Sequence, residues 1–200
     1  MSITSNNVVA NELCEFFEVV IHSILYSRKL YPESIFGPIS RYGINVYRCT
    51  DTEINEYINE SLKAVDYHIR KGHLQKLFIC FHTDKLLYER YVFEFVDLKC
   101  FIDKNPYGTN LGKYFGEFVM MLHTSNFRLL PLPDEAHFSL RIMTAPSHFT
   151  EEPSFENFPW IEISNDENCI KTSNVIPVYN IKRDYLDLSI YVEKSADVYN

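Results

Sequence analysis

A long apolar stripe near the start of the chain constrains the fold most strongly. Its members recur at three- and four-residue spacing, which is the spacing of one face of an α-helix. They are Leu13, Phe16, Phe17, Val20, Ile21, Ile24 and Leu25. This pattern predicts a helix over residues 7–30, which ends before Pro32 because proline restricts the residue in front of it. The stripe is wide, so we expect the helix to be buried along much of its length.

A second helix is delimited at both ends. Residues 50–53 read Thr-Asp-Thr-Glu and form a capping box, a common start of a helix. Gly72 stands where a left-handed residue ends a helix. Between them apolar residues recur at helical spacing, at Ile54, Ile58, Leu62, Val65 and Ile69.

The middle of the chain combines strands with a third helix. An apolar run at 76–82, a turn at 83–85 and the alternation through 90–95 predict a hairpin with one buried face. Residues 108–125 predict a helix in which Gly112 and Gly116 permit close packing on a neighbour. The alternation from Phe138 to Ile142 predicts a further strand.

The last quarter of the chain changes character. Residues 145–174 are acidic and polar, interrupted by Phe155, Phe158 and Trp160, the only tryptophan. Residues 175–178 and the alternating run 186–192 then predict strands. We therefore expect an ordered body up to about residue 143, followed by a mobile tail anchored by aromatic side chains.

Composition excludes several classes of protein. The chain has 200 residues, enough for one domain or at most two small ones. With 46% hydrophobic and 23% charged residues it does not fit a disordered chain. The 27 acidic against 19 basic residues give a net charge of −8, which disfavours direct binding of nucleic acid.

Cysteines and the N-terminus favour an intracellular protein. The five cysteines are an odd number, and no two have the C-x-x-C spacing of a zinc or redox site. We expect free thiols. The first residues contain no basic stretch leading into an apolar run, so neither secretion nor a membrane span is predicted.

No motif points to catalysis, a metal or a cofactor. The phosphate-loop, dinucleotide, zinc-protease and nucleophile-elbow patterns are all missing from the sequence. His68 and His73 lie about 140° apart on a helix and do not share a face. The histidines are expected to face solvent. A hydrolase or nuclease using Glu151 or His137 is kept as the alternative of a different class.

Two aromatic residues are candidates for partner binding. Trp160 either anchors a loop to the core or acts as an interface hot spot, since aromatic anchors among polar residues are typical of interfaces. Tyr57 lies beside Ile58 on the flank of the second apolar stripe. It either packs half-buried or presents its phenol at the lip of a groove.

A collinear set of segments resembles a known family. The longest is residues 13–26, LCEFFEVVIHSILY, continued by Arg28–Pro32 and Ile35–Phe36. Shorter matches occur at 55–58, 91–94, 158–161, 176–177 and 191–193. Together these segments, which span about residues 9–194, resemble HORMA-domain proteins, most closely the branch that serves as the accessory subunit of DNA polymerase zeta.

The resemblance implies an α+β adaptor with no enzymatic activity. Three helices would pack on an antiparallel sheet, and a mobile C-terminal segment, the seatbelt, would close over a partner peptide that adds to the sheet as a strand. The whole chain, 1–200, would be one HORMA domain, with a core at about 9–143 and the seatbelt at about 144–194. The residues implied to contact a proline-containing peptide of the catalytic subunit are Tyr57, Ala64, Phe158 and Trp160.

Further partners are implied in the same way. A second surface, formed by Val175, Pro177, Ser189 and Tyr191, falls where the family binds the C-terminal domain of a deoxycytidyl-transferase scaffold polymerase. The other partners that the resemblance implies are an AAA-type remodelling ATPase and regulators of double-strand-break repair and the cell cycle. No cofactor, membrane or direct nucleic-acid contact is implied, and the expected location is the nucleus, with the nucleus together with the cytoplasm as the alternative.

Three positions depart from the family pattern. Ser189 stands where a glutamine is usual, so we expect a hydrogen bond at the second surface to be lost or shortened. Gly116 stands where the family uses an arginine for self-association, and Ala64 replaces another small residue, a cysteine. A HORMA adaptor of spindle-checkpoint or meiotic-axis type remains the alternative within the family.

Overall fold

The first helix is the centre of the structure. The computed structural model describes residues 6–105, 110–125, 129–144, 170, 173–183 and 185–196. The apolar stripe forms α1 (Asn6–Ser27), and all seven of its side chains are fully buried, as predicted. The helix ends at Ser27 because Lys29 adopts a left-handed conformation, with φ of 53°. The Leu30 N–H then bonds to the carbonyl of Leu25 and the Lys29 N–H to that of Tyr26, a Schellman ending.

Eleven further elements follow α1 in the described part of the chain. A single 3₁₀ turn spans Glu33–Ile35. The remaining helices are α2 (Thr52–Lys71), α3 (Leu98–Lys104) and α4 (Gly112–Ser125). The strands are β1 (Phe36–Arg41), β2 (Ile44–Cys49), β3 (Leu74–His82), β4 (Leu87–Phe95), β5 (His137–Thr144), β6 (Ser173–Arg183) and β7 (Leu186–Ser195). None of these helices combines the length and apolar content needed to cross a bilayer.

Five of the strands form one antiparallel sheet. Their order is β5-β3-β4-β7-β6, so β5 and β6 lie at opposite edges of the sheet as described. The helices pack on one face, where Phe16 of α1 stacks on Phe115 of α4 at 4.0 Å and meets Phe93 of β4 edge-on. The chain leaves β5 at Thr144 on one edge and enters β6 at Ser173 on the other.

A β-hairpin that the sequence patterns did not predict packs against α1. β1 and β2 are joined by Tyr42 and Gly43, which both have positive φ, as a two-residue hairpin turn requires. The Cys49 N–H donates to Nδ1 of His22 at 3.3 Å, and Tyr47 stacks on Tyr26 at 3.9 Å. The tip of this hairpin lies against α4. Tyr42 at the tip is the close neighbour that Gly112 and Gly116 were predicted to allow.

The second helix and the central hairpin agree with most of the prediction. Gly72 ends α2 with φ of 69°. The start differs by one residue, because Asp51 rather than Thr50 is the N-cap and accepts from the Ile54 N–H at 3.1 Å. In β4 the expected face is buried, but Val92 on the opposite face is also fully buried, so the prediction of one buried face was too narrow.

The helix count and the histidines need correction. The described residues contain four helices instead of three, because α3 is only seven residues long and shows no sustained periodicity. His22 and His68 are each 2% exposed, so the expectation that the histidines face solvent is wrong for these two. The predicted C-terminal strands form the β6–β7 hairpin, while the aromatic stretch 145–169 lies outside the described residues.

Candidate partner-binding edges

In the described part of the chain, no strand pairs with the outer edge of β5. Among the described strands β5 pairs only with β3, on one side. Every second N–H and C=O of β5 therefore points away from β3, toward the side on which a further strand would pair. An edge of this kind is a template for adding a strand from a partner peptide.

Tyr57 of α2 lies across this edge. Its hydroxyl oxygen accepts a hydrogen bond from the backbone N–H of Leu140 in β5, at 3.0 Å. Its ring meets Phe138 of β5 edge-on, with centroids 5.4 Å apart and planes at 79°. The next residue, Ile58, is 1% exposed, whereas Tyr57 is 37% exposed, so the tyrosine is at the border between the core and solvent. This position gives the phenol access to any chain that reaches the edge of β5.

The other residues expected to contact the peptide are placed differently. Ala64 is on the same helix but is fully buried, so its side chain contributes to packing and not to the surface. Phe158 and Trp160 lie outside the described residues. The structure thus places Tyr57 beside the edge of β5 and does not bring Ala64 to the surface there.

The second expected surface lies at the opposite edge of the sheet. Val175 and Pro177 are on β6, the edge strand, and Val175 is 56% exposed. Pro177 is opposite Tyr191 of β7, and the register shifts just after it. A proline fits there because an edge strand does not need its N–H. Ser189 and Tyr191 are two residues apart on β7 and share a face of the sheet. Pro177 and Val175 lie on the same face, because they are opposite Tyr191 and Glu193 of β7.

Tyr191 is held in a polar network. Its hydroxyl donates to Glu94 at 2.8 Å, and Lys76 lies 2.9 Å from the same carboxylate. Burial alone would raise the pKa of Glu94, but the hydrogen bonds from Lys76 and Tyr191 hold it below its usual value. Burial, with the bond to Glu94, raises the pKa of Tyr191. The phenol therefore keeps its proton, which it donates to Glu94.

No metal-binding cluster is present in the described part of the chain. No group of three or more histidine, cysteine or acidic side chains is positioned to hold a metal there. His82 and His137 have ring centroids 4.2 Å apart, and His82 Nε2 is 2.9 Å from the Ser139 hydroxyl. Two imidazoles and a hydroxyl do not make up the four ligands of a structural zinc site.

The backbone of β5 is the part of the site that side-chain patterns missed. The alternation predicted the strand but not its place in the sheet order. Whether a strand is at an edge depends on which strands pair with it, and no local pattern encodes that choice. Phe138, the partner of the Tyr57 ring, was predicted only as a strand residue.

Comparison with known proteins identifies the domain. The model of the HORMA domain family matches residues 11–99, from α1 to the start of α3. Over these residues the chain is similar to HORMA domains. A relative from Danio rerio named mitotic spindle assembly checkpoint protein MAD2B is 27% identical over 194 residues, covering 94% of this chain and 92% of the relative.

Solved HORMA structures share the fold. A chain of the structure described as "Crystal Structure of Mitotic Checkpoint Complex" superposes with a TM-score of 0.75 at 19% identity, covering 92% of this chain and 97% of that one. C. elegans HTP-2 bound to the HIM-3 closure motif gives a TM-score of 0.67 at 11% identity, with 94% and 90% coverage. These likenesses confirm the α+β HORMA fold that the resemblance implied.

Proposed function

We propose that this chain is the non-catalytic adaptor subunit of translesion DNA polymerase zeta. It encloses a proline-containing peptide of the catalytic subunit under its C-terminal segment and bridges to a scaffold translesion polymerase. The observation that carries the proposal is the strand order, which leaves the edge of β5 open among the described strands while the C-terminal hairpin joins the opposite edge. The peptide would add to β5 as a sixth strand.

The connectivity supports enclosure of the peptide. The chain leaves the sheet at Thr144, directly at the open edge, and rejoins it at Ser173 on the far edge. A peptide on β5 would therefore lie where segment 145–172 begins. A peptide held beneath a connected segment leaves only when that segment is displaced, which slows dissociation more than the contact area implies. Trp160 and Phe158 belong to this segment and would hold the peptide prolines.

The charge fits a protein-binding task. A net charge of −8 repels DNA, so the polymerase and not this subunit would grip the template. The patch of Val175, Pro177, Ser189 and Tyr191 would bind the C-terminal domain of the scaffold polymerase. This domain would also serve double-strand-break repair and cell-cycle regulators in the nucleus, and an AAA-type ATPase would reopen the closed form.

The comparisons support an adaptor and also favour one alternative. The relative that covers 94% of this chain is named as a spindle assembly checkpoint protein, and HTP-2 is a structural neighbour bound to a closure motif. A checkpoint adaptor that binds an activator peptide is therefore the second candidate. Both candidates use the same open edge, so the bound sequence and not the fold separates them.

A pull-down separates the candidates. We expect the full chain to capture the catalytic subunit of polymerase zeta in preference to a checkpoint activator fragment. Tyr57→Ala and Trp160→Ala should each reduce capture strongly, because each removes an aromatic contact with the peptide. Asn59→Ala, an exposed change on α2, is the matched control and should bind like the wild type. Normal binding by both aromatic variants would contradict the assignment of the pocket.

The enzyme alternative has its own test. A hydrolase or nuclease would show turnover with the purified chain, and the turnover would fall on substitution of Glu151 or His137. We expect no turnover with ester, phosphoester or nucleic-acid substrates. A rate that depends on either residue would replace the adaptor proposal.

A further inference from the structure

The hydroxyl of Tyr57 occupies a backbone donor that strand addition needs. Leu140 is paired with Ile79 of β3, yet its N–H donates to Tyr57 at 3.0 Å. This N–H therefore points away from β3, toward the outer edge. The same side carries the N–H groups of Phe138 and Ile142, because the direction alternates along a strand. Leu140 thus supplies a donor in the interior of that edge, with a neighbouring donor on each side.

The phenol takes the place of an incoming carbonyl. A hydroxyl oxygen accepts a hydrogen bond as the carbonyl of a paired strand would. While the bond is in place, a second strand cannot pair with Leu140. Natural sheets protect their edges with devices that block such pairing. Tyr57 comes from α2 and not from the sheet, so it can leave without breaking any pairing within the sheet.

The remaining contacts of Tyr57 suit a removable group. The residue is 37% exposed, so its hydroxyl can turn to water when displaced. Its ring packs against Phe138 independently of the hydroxyl, with centroids 5.4 Å apart. Release of the hydrogen bond therefore leaves the ring available for contact with a bound chain.

We propose that the Tyr57 hydroxyl is a displaceable cap on the open edge of β5, which an incoming partner strand must remove. The inference rests on the proposed function, because that function supplies the strand. A cognate peptide replaces the lost bond with its own carbonyl and adds side-chain contacts. A chain without those contacts only exchanges one bond for another and gains little.

Tyr57→Phe tests the cap because it removes the hydroxyl and keeps the ring. In the free, full-length protein we expect faster hydrogen exchange at the Leu140 amide than in the wild type. We also expect the catalytic-subunit peptide to bind roughly 2- to 10-fold more tightly, which is the effect of one neutral hydrogen bond. Tyr31→Phe is the matched control, since the ring of Tyr31 also meets Phe138 edge-on, at 6.3 Å, and it should change neither quantity.

The results of this experiment distinguish a failure of the cap proposal from a failure of the proposed function. An unchanged rate of hydrogen exchange at the Leu140 amide in Tyr57→Phe would show that the hydroxyl does not cap the edge. Faster exchange with equal or weaker peptide binding also overturns the cap proposal, because the hydroxyl would then not compete with the peptide. If neither the wild type nor Tyr57→Phe binds the peptide, the proposed function fails, and the exchange rate at Leu140 still decides whether the hydroxyl caps the edge.

Discussion

Arg28 forms a buried two-point ion pair with Glu89. Nε of Arg28 donates to one carboxylate oxygen at 2.6 Å and Nη2 to the other at 3.2 Å. The side chains are only 5% and 2% exposed. Nη2 also donates to the carbonyl of Leu130 at 2.6 Å, in the segment that leads to β5. One guanidinium thus joins the chain after α1, strand β4 and the approach to the open edge.

Loss of Arg28 should destabilise the fold strongly. Arg28→Ala leaves the Glu89 carboxylate buried without its partner, so we expect the free energy of unfolding to fall by about 3–5 kcal/mol. The adjacent Lys29 is the control, because its contact with Glu33 is 3.9 Å long and exposed, and Lys29→Ala should cost about 0–1 kcal/mol. Urea unfolding measures both. Equal losses in the free energy of unfolding for the two variants would show that the buried pair of Arg28 and Glu89 does not stabilise the fold more than the exposed contact of Lys29 does.

The hairpin tip predicts opposite effects at the two glycines of α4. A Cβ at Gly116 would lie 3.1 Å from the carbonyl oxygen of Tyr42 and 3.3 Å from its Cβ, whereas one at Gly112 would meet ordinary contacts of 3.5 and 3.6 Å. Replacing glycine by alanine within a helix stabilises the helix by up to about 1 kcal/mol. We expect Gly112→Ala to hold or raise the melting temperature and Gly116→Ala to lower it.

A larger side chain at Gly116 should enlarge this difference. Gly116→Leu would push the tip of the β1–β2 hairpin away from α4, at a cost of about 1–3 kcal/mol. Calorimetry of the three variants checks the series. Equal gains for alanine at both positions would mean that Tyr42 does not pack on α4.

The two buried histidines predict a loss of stability in acid. Burial, with a smaller effect of Arg48, lowers the pKa of His22 from 6.5 to about 4. Burial, with a smaller effect of His73, lowers the pKa of His68 from 6.5 to about 4. The unfolded chain therefore binds more protons than the folded one in this range. The stabilisation that the two neutral histidines contribute is complete above pH 6.5 and is lost as the pH falls toward 4.

Urea midpoints across this range test the histidines. We expect the midpoint to fall steadily from pH 7 to 4 in the wild type and less steeply in His68→Gln, whatever its stability at pH 7. Asn59→Ala, at an exposed position on α2, changes no titratable group and should keep the wild-type slope. A slope in His68→Gln as steep as in the wild type would contradict the assignment.

Local patterns predicted the elements but not the long-range choices. α1, α2 and the C-terminal strands were found because their periodicity is sustained over many residues. The ion pair of Arg28 joins positions 61 residues apart, and the burial of His22 depends on a hairpin with no alternation of its own. The open edge of β5 follows from the order of strands, which depends on pairing between distant segments. α3 was missed because seven residues make too few turns to show a period.

The second surface predicts a gain of binding. If Ser189 lacks the hydrogen bond that the family's usual glutamine makes, Ser189→Gln should bind the C-terminal domain of the scaffold polymerase roughly 2- to 10-fold more tightly. Ser40→Gln, at an exposed position on β1, is the control and should have no effect. Biolayer interferometry measures both. Equal affinities for Ser189→Gln and the wild type would show that this position does not contact the partner.

The central claim is that a partner peptide binds as a strand on β5. An N-methyl scan of the catalytic-subunit peptide, measured by titration calorimetry, tests it most directly, because methylation removes one backbone donor at a time. The amides of an added strand face β5 at every second residue. We predict that affinity falls by about tenfold or more at alternate positions and changes much less between them, as the loss of a strand-pairing bond and a steric clash require. A uniform profile, or the absence of binding, would contradict the account.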